Sequence, residues 1–256
     1  MLKSGEDRLL DAALVALGWF VLGAVLIAVF GLPAAAAWPY VLATALIHAL
    51  YWAALTRGYD AGDLSHVYTL SRGLAPLLVS IAAIFAAREI PRPSAAVGIG
   101  LVSLGVLFVG ASRRAPLRAT GWALVIGCTI GAYSLVDALG ARVAGNAACY
   151  AGWMLFASSL PIAVFAILRR GGRRLYAAAR THWQRGLGAG VVSGVGYAVV
   201  LFAQTLAPVG QVTALRETSV VFAAVIARVF LREHLGVRRV VGALVVAIGA
   251  GLIALT

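Results

Sequence analysis

The sequence predicts an all-α membrane protein, a polytopic bundle of nine transmembrane helices arranged as two inverted repeats. Three observations predict it. The first is composition: of 256 residues, 62% are hydrophobic and 12% are charged, and the mean hydropathy is +0.96. A soluble domain is roughly 45–50% apolar and about 25% charged, so this chain is far too apolar for one soluble core, and intrinsic disorder is excluded on the same ground. The second is a succession of nine apolar runs of spanning length. The third is self-similarity at a shift of 144 residues. A disulfide scaffold is excluded because the only cysteines, Cys128 and Cys149, lie in apolar stretches and read as small buried hydrophobes.

Crossing a hydrocarbon core of about 30 Å takes ~20 mostly apolar residues in a helix. The nine runs lie near 11–31, 36–57, 64–86, 94–111, 119–139, 146–168, 185–205, 209–231 and 237–255. The first ends at Gly31-Leu32-Pro33; it is long and has no small-residue cleavage site, so it does not read as a secretory signal. The second closes at Arg57 to Asp63, the third at Arg88 to Pro93, and the fourth at Arg113 to Arg118. The fifth ends at Arg142 to Asn146, and the sixth gives way to the longest loop, Arg169 to Arg185. Ala207-Pro208 breaks the seventh from the eighth, and Arg232 to Arg239 separates the eighth from the ninth. Gly, Pro and charge clusters of this kind are turn and loop signals. Pro76 and Pro161 fall inside runs, where proline kinks a helix.

The formal net charge of +12 is explained by the loops. With the N-terminus and every second loop on one side, that side holds Lys3, Arg8, Arg57, Arg113, Arg114 and Arg118. It also holds the six arginines of 169–185, then Arg232, Arg238 and Arg239. The opposite side holds Arg88, Arg92 and Arg142. The asymmetry is a positive-inside signal that places the 169–185 loop in the cytoplasm. The positive charge therefore orients the chain, and nucleic acid is not expected as a partner.

At the 144-residue shift, 66–105 falls on 210–249 without a gap. Thr69 meets Thr213, Arg72 meets Arg216, Arg88-Glu89 meets Arg232-Glu233, and Gly98 and Gly105 meet Gly242 and Gly249. The repeat units are read as 1–112, with four runs, and 119–256, with five. Units with an odd number of spans insert in opposite senses, an inverted repeat whose site lies near midplane between the repeats.

These residues resemble the drug/metabolite transporter superfamily, in its ten-helix branch of two EamA-type repeats. The resemblance rests on Gly62 to Tyr68 with Ser71-Arg72-Gly73, on Tyr133 to Asp137, and on Ala207-Pro208-Val209 with Arg216-Glu217-Thr218-Ser219. The family often carries a Gly-Glu pair after the fourth and ninth helices, where this chain reads Arg88-Glu89 and Arg232-Glu233. Two departures follow. Against that ten-helix pattern the first repeat is expected to lack its opening helix, since Met1 to Asp7 looks like the loop that normally follows it; a true nine-helix chain is the alternative. The family places both termini in the cytoplasm, which would put 169–185 outside; the arginine count puts it inside, and the count is the reading adopted for this chain. The resemblance implies a secondary transporter, an exporter of a small organic metabolite of the amino acid or organic anion class, in a bacterial-type inner membrane.

Ionisable residues inside spans are costly and mark pathways or pairs. They are His48, His66, Arg72, Asp137, Arg216, Glu217 and Arg228, the last near a cytoplasmic end where it can snorkel. Arg72 lies roughly 12 Å into its span, with Tyr68 and Thr69 on its face. Thr213 and Arg216 make the equivalent stripe in the second repeat, with Glu217 beside it. Tyr133 and Asp137 share a face four residues apart. The expected substrate-binding set is therefore Tyr68, Arg72, Tyr133, Thr213, Arg216 and Glu217, because a guanidinium binds a carboxylate bidentately. Structural pairing of either arginine with Glu217 or Asp137 accounts for the same residues equally well. Arg216 and Glu217, adjacent on a helix, do not face each other, so each is expected to have another partner.

Candidates for proton coupling are Glu217, Asp137 and His66. For Asp137, the simpler reading is a group near a helix end that meets water; His66 is preferred to His48 because it belongs to the Asp63-to-Arg72 cluster. Tyr51, Trp52, Trp122, Trp153 and Tyr197 could line a pocket or form packing and interface belts, and Gln204 and Gln211 could satisfy backbone freed by Pro208. No cofactor or metal is expected. There is no His-Glu-x-x-His, Gly-x-Ser-x-Gly or phosphate-binding loop, so a membrane enzyme is the weakest reading. An assembly subunit without transport is the alternative. The expected partners are a small-molecule substrate and the bilayer, and pairing with a second copy is left open.

Overall fold

The computed structural model describes residues 7–62, 64–110, 116–229 and 236–255. The side chains of Arg8, Leu64, Ser65, Ala224 and 227–229 are outside the description, and so are Asp63, Arg113, Arg114 and the Arg232-Glu233 pair. Among the described residues the chain is helical with no strand: α1 Arg8–Phe30, a 3-10 turn Ala35–Ala37, α2 Trp38–Ala61, α3 Leu64–Ala86, α4 Pro93–Gly110, α5 Leu117–Val143, α6 Ala147–Arg170, α7 Gly172–Leu206, α8 Val209–Arg216, α9 Ser219–Val229 and α10 Val237–Ala254.

Eight of these are long and apolar enough to cross a membrane. Their outward faces are apolar as well: Leu42, Leu46 and Leu50, at helical spacing on α2, are 63%, 69% and 63% exposed. Such a surface suits lipid and not water. The protein is an integral multi-pass membrane protein.

Two expectations are corrected. The eighth run, 209–231, is not one continuous helix but, over its described residues, two short ones, α8 and α9, broken at Glu217-Thr218. The 169–185 segment is not a loop: α6 ends at Gly171, whose φ of 81° closes it, and α7 begins at once and runs 35 residues.

The helices fall into two compact units, 1–56 with 136–206 and 57–135 with 207–256, so α2 and α5 contribute to both. In the first unit α1 packs on α6 and α7. A Cβ on Gly23 would meet Phe156 N at 2.7 Å, and one on Gly152 would meet Leu26 Cβ at 2.9 Å, so α1 and α6 run antiparallel. Gly186, Gly190 and Gly194 repeat every four residues along α7 and receive Leu14, Gly18 and Leu22 of α1 in ascending order, a parallel pair. Small residues at this spacing let backbones approach closely, which is how helices associate where lipid supplies no hydrophobic drive. Tyr150, Met154, Leu155 and Leu201 fill the centre.

In the second unit α4 packs on α10 and on α3. A Cβ on Gly98 would lie 2.7 Å from Gly249 O, and one on Gly105 would lie 2.9 Å from Gly242 O. The converse contacts have the same lengths, Gly249 to Gly98 O at 2.7 Å and Gly242 to Gly105 O at 2.9 Å. The two helices are therefore antiparallel. Ile99, Val102, Val106, Ala214, Val246 and Ile253 form the core there.

Candidate functional site

The break between α8 and α9 sets the first polar centre. Around it the backbone closes with i→i−3 bonds, Glu217 N to Ala214 O at 3.0 Å and Thr218 N to Leu215 O at 3.0 Å. The local tightening brings Arg216 and Glu217 together although they are sequence neighbours, which corrects the expectation that they cannot meet. Arg216 Nε lies 3.6 Å from Glu217 Oε1. From α3, Arg72 Nε donates to Glu217 Oε2 at 3.0 Å. The two arginines that correspond across the 144-residue shift thus flank one carboxylate.

Glu217 is fully buried, and the side chains of Arg72 and Arg216 are 21% and 14% exposed. Two cations and one anion leave a surplus positive charge. Arg216 Nε and Nη2 and Glu217 Oε1 are buried without a hydrogen-bond partner among the described residues. A buried donor or acceptor left unmade costs about 1–3 kcal/mol, so this centre has donors to offer an anionic group.

The other expected residues distribute as follows. Tyr68 is half-exposed, and its ring lies 5.7 Å from the Arg72 guanidinium carbon, a cation–π contact. Tyr133 also falls in the electrostatic neighbourhood of Arg72. Thr213 is buried, and its hydroxyl donates to Val209 O at 2.8 Å within α8. His66 is drawn away from the arginines: its Nε2 lies 3.1 Å from Thr120 Oγ1 and its Nδ1 3.4 Å from Gly110 O, linking α3 to α5 and to the end of α4.

Asp137 belongs to the first unit and does not meet water, contrary to the helix-end reading. It is fully buried because α5 continues past it to Val143. Tyr150 OH donates to its Oδ1 at 3.0 Å and Tyr197 OH to its Oδ2 at 2.7 Å. Thr44 falls in its electrostatic neighbourhood, and Thr44 Oγ1 lies 3.1 Å from His48 Nδ1. His48, ranked below His66 by sequence, thus stands one side chain away from this carboxyl. Tyr150 carried no sequence signal for this role, since its contact with Asp137 depends on the α5–α6 crossing.

Several aromatic side chains serve packing. Trp19, His48, Tyr51 and Trp52 stack edge to face, Trp153 Nε1 donates to Gly31 O at 3.0 Å, and Arg57 lies 5.7 Å from the centre of the Trp122 ring. Around Pro208, the Gln204 carbonyl that a prolyl nitrogen cannot serve accepts from Arg142 Nε at 2.9 Å, and Val209 N donates to Glu89 Oε2 at 2.8 Å, so that Glu89 caps α8. Sequence reasoning missed this role, although the repetition of an Arg-Glu pair at the 144-residue shift was its signal.

A family model described as the EamA-like transporter family matches residues 117–255. One solved crystal structure superposes with a TM-score of 0.73 at 16% identity, covering 98% of this chain and 89% of the other; at that identity the likeness shows the fold. Among curated proteins nothing matches.

Proposed function

The chain belongs to the EamA-like transporter family, and from that premise we propose that it exports a small organic metabolite of the amino acid or organic anion class across an inner membrane by alternating access. The coarser statement, a membrane transporter of small molecules, follows from the family. The finer reading is carried by one observation, the Arg72–Glu217–Arg216 centre with its surplus positive charge and unused Arg216 donors. A substrate carboxylate fits those donors, since a guanidinium offers a planar fork to two oxygens. Tyr68, Tyr133 and Thr213 complete the proposed site around it. Glu217, Asp137 and His66 are the proposed coupling groups.

The proposed repeats, 1–112 and 119–256, are supported by the reciprocal glycine contacts of α4 and α10. Exchanging each residue with its counterpart 144 positions away turns the 98–249 contact into the 242–105 contact. That is the signature of a two-fold relation, in which residue i meets j and j meets i, and the antiparallel sense of the helices is the one an inverted repeat requires.

The test is flux of radiolabelled amino acids and carboxylates in proteoliposomes. Arg216→Ala should lower flux by about tenfold or more, the loss of a charge-assisted hydrogen bond of ~1.5–3 kcal/mol. Arg216→Lys should restore little of it, because an ammonium lacks the fork. Intact flux in both Arg72→Ala and Arg216→Ala would place the site elsewhere.

A further inference from the structure

The Asp137 centre lies in the other packing unit from the arginine pair, and the substrate site has no use for it. Three elements converge on its carboxyl. Tyr150 comes from α6, Tyr197 from α7 and Thr44 from α2. The titratable groups facing it are therefore the two tyrosines and, through Thr44, His48; Tyr40 of α2 lies in the electrostatic neighbourhood of Tyr150. No Lys or Arg pairs with Asp137 among the described residues. A buried carboxylate without a cation is costly in a low-dielectric interior, and polar groups of this kind inside a membrane mark proton relays when they are linked in chains.

The hydrogen-bond directions can be worked out. His48 Nδ1 lies 3.0 Å from the Thr44 carbonyl, which can only accept, so Nδ1 carries a hydrogen. The same nitrogen faces Thr44 Oγ1 at 3.1 Å, which leaves the Thr44 hydroxyl proton available to turn toward Asp137, in whose electrostatic neighbourhood Thr44 lies.

We infer that Asp137 is a proton-binding site, loaded from His48 through the Thr44 hydroxyl, whose charge state sets how tightly α5 holds α6 and α7. In the transfer, an imidazolium at His48 gives its Nδ1 proton to Thr44 Oγ while the hydroxyl proton of Thr44 passes to an Asp137 oxygen. One N–H and one O–H bond break, two O–H bonds form, and a cation and an anion become two neutral groups. As a carboxylate, Asp137 accepts from Tyr150 and Tyr197 in charge-assisted bonds, which are about twice as strong as neutral ones. Once protonated it must itself donate, so one tyrosine hydroxyl has to turn from donor to acceptor, and the clamp on α6 or α7 weakens. That this serves coupling rests on the transporter reading; proton binding itself does not.

The experiment is infrared difference spectroscopy on the full chain in phospholipid vesicles across a pH titration. A protonated-carboxyl C=O band should appear on acidification and be missing in Asp137→Asn. Tyr197→Phe, which removes one hydroxyl and keeps the ring, should shift that band, as should Thr44→Val, so the inference is tested even if Asp137→Asn fails to fold. A titrating band that persists in Asp137→Asn, or one unmoved by both Tyr197→Phe and Thr44→Val, overturns it. Flux is read separately with the labelled amino acid and carboxylate mixture. Asp137→Asn should lose accumulation driven by a proton gradient and keep exchange at equal pH. No flux in the wild-type chain, with the Asp137 band present, would defeat the transporter reading and leave the proton site standing.

Discussion

Arg88 has a φ of 55°, the only positive value among the described non-glycine residues. It follows the end of α3, where the chain turns back so that Glu89 N reaches Ala83 O at 3.2 Å. Left-handed backbone costs an L side chain roughly 1–2 kcal/mol and glycine almost nothing. The Arg88 side chain is exposed, so burial does not offset that cost. The family's Gly-Glu pattern has a physical cause here: the first position needs the left-handed turn, and the second supplies the carboxylate that caps α8 at Val209. Arg88→Gly should therefore raise stability by about 1 kcal/mol, read as a higher midpoint of thermal unfolding in detergent; an unchanged or lower midpoint would mean the turn is not strained. At this scale the sequence was legible where a residue type announces its cost. Arg72, Arg216 and Glu217 stood out because charges in spans are rare. Pairing of either arginine with Glu217 was among the readings; that both share one carboxylate was not legible, because it depends on a helix break that hydropathy does not register. Neither were the partners of His48 and His66, which lie 4 residues away for one and 44 and 54 residues away for the other.

Hydropathy reports the solvent a segment meets, and helix propensity reports its backbone. The two diverge in α7. Its first half is polar and was read as a loop, yet it consists largely of Ala, Arg and Leu, which are good helix formers. At 1.5 Å per residue its 35 residues extend about 52 Å, against a hydrocarbon core of about 30 Å. About 20 Å of helix therefore exceeds the core thickness, and the polar half carries Arg173, Arg174, Arg180 and Arg185. The apolar half of α7 was legible as a span, and its glycine face was legible as packing, though not its partner α1. That face gives a paired prediction. A Cβ on Gly190 would lie 2.7 Å from Gly18 Cα, whereas one on Gly188, two residues earlier, would meet nothing within 4 Å. Gly190→Leu should destabilise by ~3 kcal/mol or more, the upper range for overpacking, and Gly188→Leu should stay within about 0.5 kcal/mol. Unfolding midpoints of the two variants in one detergent decide it, and equal losses would show that α1 and α7 are not packed through this face.

For the whole molecule, two independent lines meet on orientation. The loop arginines give a side to each chain segment, and the α4–α10 contacts give a relative sense to two helices. Ser94, at the start of α4, and Arg238, at the start of α10, are 144 residues apart. Equivalent positions in an inverted repeat lie on opposite sides of the membrane, and the antiparallel contacts of Gly98 with Gly249 and Gly105 with Gly242 require the same of these two helix starts. The charge asymmetry predicts which is which: Arg238 is expected with the cytoplasmic cations, and Ser94, which follows Arg92, on the sparsely charged side. In a chain with Cys128 and Cys149 replaced by alanine, Ser94→Cys should react with a membrane-impermeant maleimide from outside intact cells. Arg238→Cys should react only once the cytoplasmic face is opened. Labelling of both from one side would break the inverted relation. Labelling from opposite sides in the reverse order would keep the repeat and overturn the arginine count, so the two lines of reasoning fail separately.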